Sequence, residues 1–152
     1  MDEIFYKRAR ITDIFELNNC NKNNLPIFYS AVEFMFFIIS GFNEIIIAKD
    51  TNNKIIGFLL GEYIDKNFHI MSIAIDEQYR KKGIGTKLII ALKNTIEIYC
   101  NTITLFVHVA NYAAIKFYKK NKFKIIDLLS NYYNGSLRNV RTQDAFKMLK
   151  KL

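Results

Sequence analysis

The chain has 152 residues, 51% of them hydrophobic and 14% aromatic. That composition excludes intrinsic disorder and suits one domain, residues 1–152, built on a single sizeable core. The longest apolar runs, such as residues 34–42, fall far short of the roughly 20 residues of a membrane span, and the acidic start carries no signal-peptide core. The net charge of +8 would suit a phosphorylated ligand, an anionic surface or nucleic acid. However, the lysines are spread along the chain, as a bias toward Lys, Asn and Ile produces, and they do not interleave with aromatics in a nucleic-acid-binding pattern. Cys20 and Cys100 lie far apart with no metal-ligand spacing. Free thiols, a reducing cytoplasmic compartment and no metal are the expectations.

Residues 4–9 read as a first strand. Thr12 is placed to cap a helix, with Asp13 and Glu16 in its first turn and Ile14, Phe15 and Leu17 as apolar positions. The asparagine-rich NNCNKNN, residues 18–24, reads as a loop that stops it. A strongly apolar helix is expected over 33–40, ended by Gly41. Strands follow at 44–50, 55–64 and 68–76, joined by short turns.

The period then changes. Apolar residues at 84, 88, 89, 92, 96 and 99 have helical spacing. A strand at 103–109, a helix at 111–121 and strands at 123–129 and 144–152 complete an α/β order with a mixed sheet.

The stretch YRKKGIGTKL joins a strand to a helix. Two of only six glycines, Gly83 and Gly85, stand directly behind Arg80, Lys81 and Lys82. The first turn of a helix leaves backbone N–H groups unpaired at the positive end of the macrodipole, and glycine lets a phosphate approach them. The spacing fits neither G-x-G-x-x-G nor G-x-x-x-x-G-K-[ST]. By local reading it is either a pyrophosphate cradle or a glycine-eased helix start among solvated bases.

Arg80-Lys81-Lys82-Gly83-Ile84-Gly85 resembles the Q/R-x-x-G-x-G/A signature of the GNAT N-acetyltransferase superfamily. The strand before it resembles the one that carries the pantetheine arm of acetyl-CoA, and LFVHVANYAAIKFYKKNKF resembles the second core motif. The resemblance implies a mixed, mostly antiparallel sheet of about seven strands with flanking helices, and acetyl-CoA as co-substrate without a metal. It assigns cofactor contacts to Ile73, Ala74, Ile75, Arg80, Lys81, Lys82, Gly83, Ile84, Gly85, Thr86, Asn111 and Tyr118.

A finer likeness is to stand-alone eukaryotic protein N-terminal acetyltransferases that act on Met followed by a hydrophobic residue. LPIFY resembles their peptide-gripping loop and NYYNGSLRNV their tyrosine-bearing hairpin. Leu25, Pro26, Ile27 and Tyr29 would then hold the peptide from one side, and Tyr132 and Tyr133 from the other. The partners implied are acetyl-CoA and protein N-termini, with a ribosome or an auxiliary subunit admissible. Nucleic acid and a membrane span are not expected.

An α-amine, with pKa about 7.7–8.0, needs only a mild base to lose its proton, and histidine at about 6.5 suits it. The chain has two histidines, His69 and His108. His69 matches a family Tyr/His position. Counting back from Asn111, the family's other catalytic position is held by Phe106, with His108 two residues later on the same face. Asn111 can also simply cap the helix it opens. Tyr118, two helical turns on, matches the family's general acid beside the CoA sulfur. Three readings of function remain open: an N-terminal α-amine acceptor, a lysine or small-molecule amine acceptor, and a catalytically weak acetyl-CoA-binding protein.

Overall fold

Seven strands share one sheet in the computed structural model, which describes residues 3–26 and 28–152. In chain order the elements are β1 (Phe5–Arg8), α1 (Ile14–Asn24), α2 (Ala31–Ser40), β2 (Asn43–Lys49), β3 (Ile55–Ile64), β4 (Asn67–Ile75), α3 (Ile84–Ile96), β5 (Thr102–His108), α4 (Tyr112–Lys120), β6 (Lys124–Leu129) and β7 (Ala145–Lys151). The sheet order is β1-β2-β3-β4-β5-β7-β6, and every pairing is antiparallel except β4 with β5.

Both faces of the sheet are covered. Ile45 and Ile47 of β2 pack with Leu17 of α1 and Phe34 of α2, while Ile46 and Ala48 pack with Leu88 and Leu92 of α3. This explains why β2 reads as a continuous apolar run and not as an alternating one. On the same face as α3, Ile115 and Tyr118 of α4 continue that layer over β5 and Met148 of β7.

Two local expectations are corrected around α1. Thr12 is exposed and does not cap the helix. A 3₁₀ turn, Ile11–Asp13, precedes α1, and the Asp13 carboxylate accepts the Arg10 N–H (2.9 Å) and pairs with the buried Lys49 ammonium (2.8 Å). The second correction is larger: the asparagine run is not a loop but the second half of α1. Its side chains act as tertiary donors. Asn18 and Asn21 both donate to the Tyr29 carbonyl (3.0 and 3.1 Å), and Asn24 donates to Asp76 Oδ1 (2.6 Å). These bonds offset the modest helix propensity of asparagine and fasten α1 to the segment leading into α2 and to the end of β4.

The sheet opens between its two central strands. β4 and β5 pair in parallel from Asn67↔Thr102 to Ile70↔Leu105. In the β3–β4 ladder, Leu60 stands opposite Ser72 and Gly61 opposite Ile70, so Met71 is an inserted, bulged residue. Beyond it β4 continues only with β3, and Phe106, Val107 and His108 of β5 continue only with β7. The divergence leaves a cleft in the middle of the sheet.

Candidate active site

Asp76 N–H donates to Ile56 O (2.8 Å) on the β3 side. Strand alternation then turns the N–H groups of Ile75 and Ile73 toward the cleft, where β5 has departed. The Ala74 side chain is buried in the α1/α2 layer and its backbone groups face Phe58 of β3, so of the three expected cofactor contacts on β4 this one turns no polar group to the cleft.

The cleft leads to the start of α3. Gly83 precedes its first residue with φ +81°, a left-handed conformation that a side chain would strain, and no side chain caps the helix. Lys87 N–H is the donor that returns to Gly83 O (3.1 Å), which leaves the N–H groups of Ile84, Gly85 and Thr86 without intrahelical partners. Gly85 is glycine for another reason. A Cβ there would lie 2.8 Å from Phe117 Cζ, so its absence lets α3 close on α4.

Arg80 and Lys81 line the cavity at this helix start, together with Lys116, Phe117 and Lys120 from α4. Lys82 does not line it, and its ammonium stands over the Tyr79 ring at 5.3 Å. Arg80 is tethered, Nε to Ile75 O (2.9 Å) and Nη2 to Asn24 Oδ1 (3.2 Å). Lys116 and Lys120 were not anticipated from sequence. Their i, i+4 spacing on one face, in line with Ala113 and Phe117, was the available signal.

Farther along the cleft, Asn111, Tyr118, His108 and Tyr133 line a second cavity. Asn111 Oδ1 accepts the Ala114 N–H (3.2 Å) and so caps α4. Burial, reinforced by Tyr133, raises the Tyr118 phenol above its ordinary pKa and keeps it protonated. His108 is engaged at both ring nitrogens. Nδ1 accepts the Ala110 N–H (3.1 Å), so the proton resides on Nε2, where it is donated to Thr142 O (2.8 Å).

A third cavity lies across Phe106 and Tyr133, which line both. Its walls are Tyr29 from the loop after α1, Glu62 of β3, His69 and Met71 of β4, and Tyr132 from the loop before β7. Ring contacts run from His69 to Phe106 (4.9 Å), to Tyr132 (4.5 Å) and to Tyr133 (5.0 Å). Tyr29 is fixed edge-on against Phe37 and Phe34. The tyrosine loop is held by Tyr133 N–H to Gln143 O (3.0 Å) and by the Gln143 amide bridging Leu137 N and O.

Of the other expected peptide contacts, Leu25 packs against the α1/α2 core and Pro26 is exposed. Neither lines this cavity, and Ile27 lies outside the described residues. Glu62 was missed because only the β3–β4 pairing brings it to His69, whereas for Met71, two residues along β4, strand alternation was the available signal.

The His69 ring binds Thr104 Oγ1 through Nδ1 (3.0 Å), and no hydrogen-bond partner for Nε2 is found among the described residues. Burial lowers its pKa. Glu62 opposes this and Lys147 adds to it. A neutral imidazole with one open nitrogen thus faces the cavity framed by the two tyrosine-bearing loops.

Comparison with known proteins agrees with this geometry. The Acetyltransferase (GNAT) family matches residues 11–123. The chain is 29% identical to the N-terminal acetyltransferase A complex catalytic subunit NAA10 of Arabidopsis thaliana, over 96% of this chain and 77% of that protein. It is 30% identical to an N-alpha-acetyltransferase of Sulfurisphaera tokodaii, over 84% of each. A chain in a crystal structure of the NatC complex bound to Gag peptide and CoA superposes with a TM-score of 0.80 at 25% identity, covering 99% of both chains. The split sheet, the uncapped glycine-led helix and a family match that spans both place this chain in the GNAT acetyltransferase family.

Proposed function

We propose that the protein transfers the acetyl group of acetyl-CoA to the N-terminal α-amine of a protein or peptide whose first residues are apolar. The observation that carries this reading is the third cavity. Tyr29 and Tyr132 arrive from two separate loops and frame a mostly aromatic wall over His69. Such a walled entrance suits a chain end with an apolar first side chain, bound by stacking and burial. The relatives named as N-alpha-acetyltransferases and the neighbour bound to a peptide and CoA support the same reading.

The donor side fits acetyl-CoA. Three N–H groups without intrahelical partners at the start of α3, with Arg80, Lys81, Lys116 and Lys120 around them, suit a pyrophosphate. The cleft-facing N–H groups of Ile73 and Ile75 suit the amide-bearing arm. One of them is also placed to polarise a thioester carbonyl.

In the reaction, the amine's C–N bond forms as the thioester C–S bond breaks. His69 takes the ammonium proton at Nε2, Tyr118 gives its phenolic proton to the leaving thiolate, and the second proton that the substrate nitrogen sheds on becoming an amide restores the Tyr118 phenol. Both nitrogens of His108 are committed to backbone groups, so its role here is to shape the loop that carries Thr142.

The test is thiol release from acetyl-CoA with Met-Leu-type peptides bearing free or blocked N-termini. Turnover with free N-termini alone supports the reading. Turnover confined to blocked, lysine-containing peptides overturns it in favour of lysine acetylation, and acetyl-CoA binding without turnover on any amine overturns it in favour of a binding protein.

A further inference from the structure

His69 is attached to a polar ladder that the catalytic scheme above does not use. The parallel register sets Asn67 beside Thr102 and His69 beside Thr104, on one face of the β4–β5 pair. Thr102 Oγ1 donates to Asn67 Oδ1 (2.8 Å), Asn67 Nδ2 donates to Thr104 Oγ1 (2.8 Å), and Thr104 Oγ1 meets His69 Nδ1 (3.0 Å). Thr104 is buried, 5% exposed. Its hydroxyl already accepts from Asn67, and no acceptor for its proton other than His69 Nδ1 is found among the described residues. A buried hydroxyl proton without a partner is costly, so the bonds run head to tail along the ladder.

We propose that Asn67 and Thr104 are positioning residues that decide which ring nitrogen of His69 carries the proton. With the amide of Asn67 donating to Thr104, the Thr104 hydroxyl donates to Nδ1, and the neutral ring holds its proton on Nε2, facing the acceptor cavity. Reversing the ladder rotates the carboxamide and two hydroxyls, and the ring exchanges its proton with water, losing it from Nε2 into the open cavity and taking one up at Nδ1. Thr104 then donates to Asn67 Oδ1 and accepts from Nδ1–H, and Nε2 becomes a lone pair able to take the proton of an ammonium. The imidazolium formed by that transfer fits the reversed ladder as well, since its Nδ1–H again finds the Thr104 oxygen.

The Asn67 carboxamide accepts at one end and donates at the other, so the direction of the ladder follows its orientation. The charged and titratable groups facing the ring are Glu62 from β3, Lys147 from β7, and Tyr29, Tyr132 and Tyr133 from the two loops. None of them touches Nδ1. The inference deepens the role given above to His69, but its readout does not depend on turnover.

The test is ¹⁵N NMR of the imidazoles in the histidine-labelled protein, which has two such rings. His108, with its proton on Nε2, is the internal reference. Wild-type His69 is expected to show the neutral Nε2–H form. Asn67→Asp presents only acceptors, so Thr104 must donate to it and accept from the ring. The neutral ring should switch to Nδ1–H, and the acid limb of kcat should move to higher pH. Thr104→Val, which keeps the shape and removes the link, should abolish the tautomer switch when combined with Asn67→Asp. A His69 tautomer unchanged by Asn67→Asp, or switched equally with Thr104→Val present, overturns the proposal. Failure to acetylate any peptide counts against the proposed function and leaves the tautomer result standing.

Discussion

Gly85 of α3 lies so close to Phe117 of α4 that a methyl group on it would stand 2.8 Å from Phe117 Cζ. This contact closes the two helices over the exit of the cleft and fixes the direction in which the free N–H groups of α3 point. Gly85→Ala is expected to cost about 1–3 kcal/mol of stability by overpacking and to raise KM for acetyl-CoA. Adding Phe117→Leu should recover part of both. Thermal unfolding and donor titration of the two variants check it, and an unchanged Tm in Gly85→Ala contradicts the packing argument.

The two histidines should separate cleanly. His69→Ala is expected to lower kcat/KM with a peptide acceptor by roughly 10²-fold or more, a loss larger than the stability cost of the Thr104 hydroxyl it leaves unpaired would explain. His108→Ala should act mainly on stability. It leaves the Ala110 N–H and Thr142 carbonyl without their partner, a loss of about 1–3 kcal/mol if water does not replace it. Steady-state kinetics beside unfolding curves decide between the two roles.

The pH dependence follows from the surroundings of His69. Burial lowers its pKa, Glu62 opposes and Lys147 reinforces. A lowered histidine pKa means that the neutral base persists to lower pH. At saturating peptide, kcat should therefore fall only as pH drops through a value below the ordinary figure of about 6.5. Removing the opposing charge with Glu62→Gln should move this limb lower still, and Lys147→Gln should move it higher. The limb should vanish in His69→Gln, which separates it from titration of the bound amine.

Lys116 and Lys120 stand exposed on the α4 side of the helix-start cavity. Each change to alanine is expected to raise KM for acetyl-CoA roughly 2–5-fold with kcat held, and the effect should shrink as salt is added. Lys82→Ala, whose ammonium sits over Tyr79, should change KM less than either.

The element order was legible because hydrophobic period changes from two to 3.6 and back along the chain, and strands such as β3 carry unmistakable apolar runs. The asparagine half of α1 was misread because its helix is held by bonds to Tyr29 and Asp76, partners that no local rule can see. The glycine pair was legible as a feature but not in its division of labour. Gly83 answers to a backbone angle and Gly85 to a ring contributed from α4. His69 and His108 look alike in sequence. Their difference lies in whether both ring nitrogens are occupied, which depends on a loop more than thirty residues away for His108 and on Thr104 for His69.

The central claim is the identity of the acceptor amine. The most direct measurement gives the protein acetyl-CoA and one peptide that begins Met-Leu, has a free N-terminus and contains an internal lysine, and then maps the acetyl group by fragmentation mass spectrometry. The account predicts acetylation on the α-nitrogen of the first residue, lost in His69→Ala. Acetyl found on the lysine Nζ with the α-amine left free would contradict it.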